Sequence, residues 1–508
     1  VKQAILAIDE GTTGTRAAWV TADGDVGGLT YERLSVSSPR PGVVAQSASE
    51  ILEKTIRTLR AAYASAQEHG LQVTAVTIAT QRATATLWDT ETGEPVAPSM
   101  VWQDTQYAAD LAALSGDWDA RLWPSIGRPT GVRNVYLWAA RVLADAQQPR
   151  ARECRAKGTL AFGTVDTWLL WSLSNRRELV ATATNAVSSG AYRLADHSYH
   201  TEFITALGFP LDLLPELRDD VSDFGTLRPE ILGVELPIVA AAGDQHAAMV
   251  GLGVIEQGDV MCVHGTGSFV DLNLGTHLPE NDGRYQGALS LVAWREAGIS
   301  RYSIETFTST TGSAIDWLVD KLRLFDSGKH ISELAANGRM GSVHSVPALT
   351  GVRMPSVNAG VGALIGGLTM STTREDVALA VLEGIAQSVG WSIDADQEVA
   401  GIEISKVNIG GGLSSSDPLV QLQADLTGVP HHRFRDTDKA SLRGAAFLGG
   451  VSLGIWDSLA DTRELLGAPD VFEPKMSPAE REERVASWRQ RVLTEMELAD
   501  ARKESNKE

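Results

Sequence analysis

The stretch LAIDEGTTGTRAAWV, residues 6–20, stops an apolar run on Asp9, turns at Gly11 and gathers Thr12, Thr13 and Thr15 before Arg16. A hairpin turn calls for Gly, Asn or Asp and gains nothing from three threonines and an arginine. Two readings stand side by side: a Thr-rich surface loop, or a turn whose amides and hydroxyls converge on a phosphate. Two later stretches share the pattern, HGTGS at 264–268 and IGGGLSSSD at 409–417, each a strand-like run that ends in glycines and hydroxyls. Such turns let a backbone approach a ligand closely, and the carboxylate of Asp9 can hold a divalent cation directly or through water. The chain has no GxxxxGK[ST] and is therefore not a P-loop protein.

A second carboxylate stands out in AAAGDQHAAMVGLG, 240–253, where an apolar strand runs into Asp244 and Gln245 and then into a helix of small residues. Asp at such a junction is often only a helix cap. The small neighbours leave room for a ligand, and Asp beside Gln can accept from and donate to hydroxyl groups. His246 follows directly, and packing is its expected task. His431 and His432, after Pro430, read as solvated surface, while Trp88, Trp168, Trp171 and Trp317 sit in periodic patterns and read as core.

The elements that must position these residues alternate along the chain. QAILAID, TRAAWVTAD and LTYERLSV read as an antiparallel meander, SASEILEKTIRTLRAAYASAQEHG as a helix stopped by Gly70, and VTAVTIATQ as a returning strand. The order β-β-β-α-β predicts an α/β arrangement. It starts again near residue 258, with GDVMCVHGTGSFVDLNLG, a long helix in REDVALAVLEGIAQSVGWSIDADQEVAG and a strand in ISKVNIGGG. The two copies share architecture rather than sequence, and a hinge is expected between them. The stretch from Ser477 onward reads as a surface helix with a frayed tail.

At 508 residues the chain exceeds what one core supports, and two large domains are expected. Its 44 basic and 64 acidic residues give a net charge of −20, which argues against nucleic acid or an anionic membrane as partner. A small anion such as a nucleotide stays compatible, its charge offset locally. The two cysteines, Cys154 and Cys262, form no CxxC and suggest neither a disulfide framework nor a zinc site. The sequence shows no apolar signal region and no run of about 18 apolar residues. A cytoplasmic protein is expected, and a homo-oligomer, a dimer.

Taken in order, IDEGTTGTRA, TQRATATLWDTETGEP, VWQD, FGTVDTWLLW, TNA, AAGDQ, GTGSF and ALIGGLTMSTTREDVALAVLE resemble the FGGY carbohydrate kinases, and within them the glycerol kinases, from about residue 3 to about residue 460. The resemblance implies two actin-like (ribonuclease H-like) α/β domains, 1–247 and 248–508, with ATP and substrate in the cleft between them. It implies Asp244 as the base that takes the proton from the substrate hydroxyl and Asp9 as the residue that helps hold Mg²⁺. Thr12, Thr13 and Arg16 would face the transferred phosphoryl group, Thr266 would contact phosphates from the other domain, and Gly312, Gly411 and Ser416 would border the nucleotide. Arg82, Ala83, Trp102, Tyr136, Gln245 and Phe269 fall at the positions that line the polyol pocket.

Several positions depart from the glycerol-kinase pattern. Arg82-Ala83 replaces Arg-Glu and removes a carboxylate that binds substrate hydroxyls. Glu305-Thr306 replaces Glu-Gly, Gly410-Gly411-Gly412 replaces Asp-Gly-Gly, and Ser416 stands where Asn is usual. These changes spare phosphoryl transfer and point away from glycerol toward a C4 or C5 polyol such as erythritol, threitol or xylitol. A ketose kinase such as a xylulokinase, or an actin-like ATPase module without a small substrate, are the alternatives.

Overall fold

A computed structural model describes residues 2–505. The expected meander forms. Strands Gln3–Glu10, Gly14–Thr21 and Val26–Arg33 pair antiparallel, with Asp9 opposite Arg16. The Ala48–Glu68 helix is capped by Ser47, whose hydroxyl accepts from the Glu50 amide, and it buries Ile51, Leu59 and Ala62 against the sheet. Its crossover returns the chain as the parallel strand Gln72–Thr80, and strand Ile238–Gly243 adds to the same edge. Because successive side chains of a strand point to opposite faces, Asp9 and Glu10 part company. Thr15 and Thr55 donate to the buried Glu10 carboxylate, while Asp9 pairs with Arg16.

The second half repeats the plan on seven strands. Val260–His264 pairs antiparallel with Ser268–Gly275 and parallel with Val407–Gly411, and the 27-residue helix Arg374–Ala400 crosses over between them. A capping box at Thr373 and Asp376 starts that helix, and Gly401 in the left-handed region ends it. A smaller four-stranded sheet, built on Ala85–Asp89 and Leu160–Thr164, extends the first half and carries the aromatic cluster of Tyr136, Phe162 and Phe209.

Two helices tie the halves together. Asp244–Gly251 continues directly from the strand Ile238–Gly243, and Ala440–Ser452 comes back from the second half to pack Leu442, Ala446 and Phe447 with Ile5 and Ala7 of the first sheet. They cross at glycines. A Cβ on Gly444 would stand 1.8 Å from the Ala247 carbonyl oxygen, and one on Gly251 would stand 1.9 Å from that of Ala440. Only glycine at both positions permits this backbone approach.

Trp88, Trp168 and Trp171 are core, as expected, and Trp317 is partly buried against a second core cluster. His431 and His432 are not a solvated loop. They lie in the strand His431–Arg433 at the end of the second sheet, where His431 is fully buried with its Nδ1 against the Val429 carbonyl. The helix Pro478–Ser505 is anchored through Trp488 and Val492, and the expected tail beyond it lies outside the described residues. No helix among the described residues is long and apolar enough to cross a membrane.

Candidate active site

Asp244 is the first residue of its helix, with Gly243 at the cap position, so it does not serve as the cap. Its Oδ1 accepts from the Gln245 amide at 2.8 Å and is also the oxygen nearest Arg82. The Arg82 Nε lies 3.8 Å from Asp244, and Arg82 Nη2 donates to Glu305 at 2.6 Å. Glu305 belongs to the strand Ile299–Thr308 of the second half, so this buried pair spans the two halves. Burial raises the Asp244 carboxyl, Arg82 opposes the rise and Asp9 adds to it, and the group is pushed up to about 7. A carboxylate poised there ionises at neutral pH and still holds a proton well, which is what a general base requires.

The Gln245 Oε1 is buried without a hydrogen-bond partner and so is free to accept from a ligand. Beneath it, both ring nitrogens of His246 are buried without partners, and burial holds the ring neutral. Both oxygens of the fully buried Asp271 are also unpartnered, and burial together with Glu305 raises that carboxyl well above the usual range.

The first turn is bound to the same pocket. The Trp102 indole Nε1 donates to Thr12 Oγ1 at 2.7 Å, and the Trp102 amide donates to Thr84 Oγ1 at 3.2 Å. Thr12 donates in turn to Gln81 Oε1 at 3.2 Å, and Gln46 reaches the Thr12 carbonyl. Ala83, between Arg82 and Thr84, is buried with φ of 55°. A non-glycine residue in that region stores backbone strain of the kind found where a turn must aim its neighbours. Phe269 packs on Phe307 with ring centroids 4.5 Å apart, and the Arg82 guanidinium lies 6.0 Å from the Phe269 ring.

The side chains of Arg16 and Tyr136 are engaged within the protein. Arg16 is occupied, ion-paired with Asp9 at 3.0 Å and donating to the Asp438 carbonyl. The Tyr136 ring is buried among Phe162, Tyr199 and Phe209. Thr13 is exposed beside the turn and accepts through its carbonyl from the Leu34 amide.

At the head of the matching hairpin in the second half, Thr266 is exposed, and its carbonyl accepts from the amides of Thr311 and Ser313. The Gly312 amide donates to Gly265, which stitches this turn to the start of the Gly312–Asp316 helix. Gly411 has φ of 82°, and a Cβ there would stand 2.2 Å from the His264 carbonyl oxygen, so the strand ends flat against the same hairpin. Ser416 caps the helix Asp417–Thr427 and accepts from Ser332 at 2.7 Å.

Sequence reasoning missed four participants. Glu305 is the partner of Arg82, and Arg128, Arg133 and Arg353 flank the same pocket. For Arg133 and Arg353 a signal was present, because the tetrapeptide Thr-Gly-Val-Arg occurs twice, at 130–133 and 350–353, and the structure gives each of its glycines a positive φ.

Comparison with known proteins gives the family. Residues 4–251 match the FGGY family of carbohydrate kinases, N-terminal domain, and residues 260–453 match the C-terminal domain of that family. The glycerol kinase of Dechloromonas aromatica is 34% identical over 502 residues, covering 98% of this chain and 99% of that one. The crystal structure of Plasmodium falciparum glycerol kinase with ADP superposes with a TM-score of 0.90 at 24% identity, covering 97% and 98% of the two chains. The ligand-bound xylulose kinase of Lactobacillus acidophilus superposes with a TM-score of 0.83 at 18% identity, covering 98% of each chain. The two sheets with their repeated order are thus the two actin-like, ribonuclease H-like domains of these enzymes. With both family domains matched and a strand-to-helix aspartate facing an arginine-bearing turn between the halves, the chain belongs to the FGGY family of carbohydrate kinases.

Proposed function

We propose that this kinase transfers the terminal phosphoryl group of ATP to a primary hydroxyl of a small polyol, with Asp244 as the base. Glycerol and C4–C5 polyols such as erythritol, threitol and xylitol are the candidate acceptors. The carrying observation is the half-buried Asp244 carboxylate, raised to about 7 and set beside Arg82 and the unpartnered Gln245 Oε1. In this reading residues 1–247 hold the acceptor and the first phosphate turn, and residues 248–508 hold the nucleotide through Thr266, Gly312, Gly411 and Ser416. Phosphoryl transfer needs alignment and charge stabilisation more than covalent chemistry. Trp102, Arg82 and Gln245 would orient the acceptor hydroxyl toward Asp244, which takes its proton as the oxygen attacks phosphorus. Thr12 and Thr13 on one side and Thr266 on the other would hold the transferring group.

Among the described residues no group of three or more His, Cys, Asp or Glu side chains converges to cage a metal. The donor set therefore fits Mg²⁺ carried in on phosphate oxygens and water, with one protein carboxylate, since Mg²⁺ retains several waters in such sites. Asp9 would be that carboxylate, with Arg16 favouring its ionised form against burial. Bound Mg²⁺ neutralises phosphate charge.

The deciding experiment is ADP release measured across C3 to C6 polyols and ketoses. Turnover that depends on an added polyol supports the reading. Turnover that is fastest with xylulose favours a ketose kinase, and turnover indifferent to any acceptor favours a bare ATPase module.

Two further results are expected. The base must be ionised to work, so kcat/KM should rise as pH rises through about 7 and level off above it. A flat profile from pH 5.5 to 8.5 would exclude Asp244 as the titrating base. Ala83→Glu would return a hydroxyl-binding carboxylate to the pocket. A hydrogen bond to a charged group is worth about 1.5–3 kcal/mol, so the ratio of kcat/KM for glycerol to that for xylitol should rise by about tenfold or more. A wild-type enzyme that already prefers glycerol by a wide margin would show that another residue has taken the place of the missing carboxylate.

A further inference from the structure

Three arginines around this pocket lack an ion-pair partner among the described residues. Arg82 takes Glu305 as its partner at 2.6 Å, and among the described residues no carboxylate lies within ion-pair distance of Arg128, Arg133 or Arg353. Arg128 donates Nη1 to the Ser188 carbonyl at 3.1 Å, and its Nε is buried without a partner. The Arg353 Nε donates to Ser309 Oγ at 3.1 Å, with the guanidinium 5.0 Å from the Phe307 ring. The Arg133 guanidinium lies 5.6 Å from the ring of Trp102. These contacts seat the arginines against the walls of the acceptor pocket, since Trp102 is bonded to Thr12 and Phe307 packs on Phe269.

The charges that act on Arg133 are those of Arg128, Arg353 and Arg82, opposed only by Glu305, and burial brings both Arg128 and Arg133 down to about 10. Arg133 lies over the Trp102 ring, and Arg128 bonds the same Ser188 that Arg82 reaches, which sets the cluster beside the residues that would line the acceptor pocket. In a chain of net charge −20, a cluster of arginines without carboxylate partners is not a consequence of composition. Buried cations without counter-ions are costly, and a fork of guanidinium donors matches a carboxylate or phosphate in shape as well as in charge. Two of the three come from identical Thr-Gly-Val-Arg segments that begin 220 residues apart in sequence, at Thr130 and Thr350, and bring their arginines near each other.

We infer that the acceptor carries an anionic group, a carboxylate or a phosphate, on the end remote from the hydroxyl that is phosphorylated, and that Arg133 and Arg353, with Arg128, bind it. This rests on the kinase reading above and narrows its substrate to polyhydroxy acids or polyol phosphates of three to five carbons.

The test compares ADP release by the intact enzyme with glycerol, erythritol and xylitol against the matching acids, glycerate, erythronate and xylonate, and the matching monophosphates. The acid or the phosphate should exceed the neutral polyol of equal length by about 10²-fold or more in kcat/KM, and the better of the two series identifies the anion. Arg133→Met and Arg353→Met should each cut the ratio of anionic to neutral kcat/KM by about 10- to 100-fold, the range for a charge-assisted hydrogen bond. The ratio is measured on whatever fraction of each variant folds, so lost stability does not imitate the effect. Neutral polyols that outperform every anionic partner, or a ratio that both variants leave unmoved, overturn the inference and leave the kinase reading intact. If no acceptor of either kind stimulates ADP release, the kinase reading itself fails.

Discussion

Replacing Asp244 with Asn is expected to lower kcat by about 10² or more, the loss that follows removal of a general base, while nucleotide affinity stays close to that of the wild type. The amide keeps the shape of the side chain and can still accept from the Gln245 amide, so the turn and the helix start remain in place. Stability separates this role from a structural one. The folded-state carboxyl is held near 7, above the ordinary Asp range, so the folded protein binds the proton more tightly than the unfolded chain does. That contribution favours the fold below the ordinary Asp range and is lost as pH rises through about 7. At pH 8 the ionised, half-buried Asp244 therefore works against folding, and Asn should leave Tm equal or higher. Steady-state kinetics and thermal unfolding at pH 8 check both halves of this expectation. A variant that is fully active, or one that is inactive because its Tm has fallen sharply, would return Asp244 to a structural part.

Much of this was legible because it is written in local period and turn chemistry. The meander follows from alternation, and the same period of two explains why Asp9 faces Arg16 while Glu10, its neighbour, is buried against Thr15 and Thr55. The strand-to-helix junction that carries Asp244 was legible because strand, glycine, carboxylate and small-residue helix lie in one contiguous run. The illegible features are pairings between segments remote in sequence. Nothing local to Arg82 announces that its partner is Glu305, 223 residues on. The arginines at 133 and 353 lie in loops, where no periodicity shows which way a side chain faces, and only the fold brings the arginines of the two identical segments near each other. Tyr136 is the converse case. Its position matched a pocket residue, but the helix Val135–Ala144 turns its ring into an aromatic core that only the tertiary packing reveals. His431 misled for a related reason, because a three-residue strand at a sheet end carries too few residues to show alternation, and the pair after Pro430 reads as a loop.

The glycine crossing beneath the cleft yields the second large effect. Gly444→Ala adds one methyl, yet that carbon would sit 1.8 Å from a backbone oxygen of the facing helix, which has no flexible end to swing aside. The helices Asp244–Gly251 and Ala440–Ser452 must then separate. Overpacking of this kind costs about 1–3 kcal/mol, and for a domain of this size Tm should fall by about 5 °C. The kinetic consequence is larger than the stability loss suggests. Asp244 heads one of the two displaced helices, and a shift of about 1 Å in a reacting group can cost about 10² in rate. Arg16 and Arg82 join the halves above the same crossing, through the Asp438 carbonyl and Glu305, so displacement at the base is passed on to both the phosphate turn and the acceptor pocket. In the proposed function the turns at Thr12 and Thr266, which stand on different halves, would grip one nucleotide only when those halves approach. Small-angle scattering should therefore show the wild type becoming more compact with acceptor and a non-hydrolysable ATP analogue, while Gly444→Ala compacts less and loses kcat at temperatures well below its Tm. A variant that unfolds earlier but keeps wild-type kcat and compaction while folded would confine the crossing to a packing role.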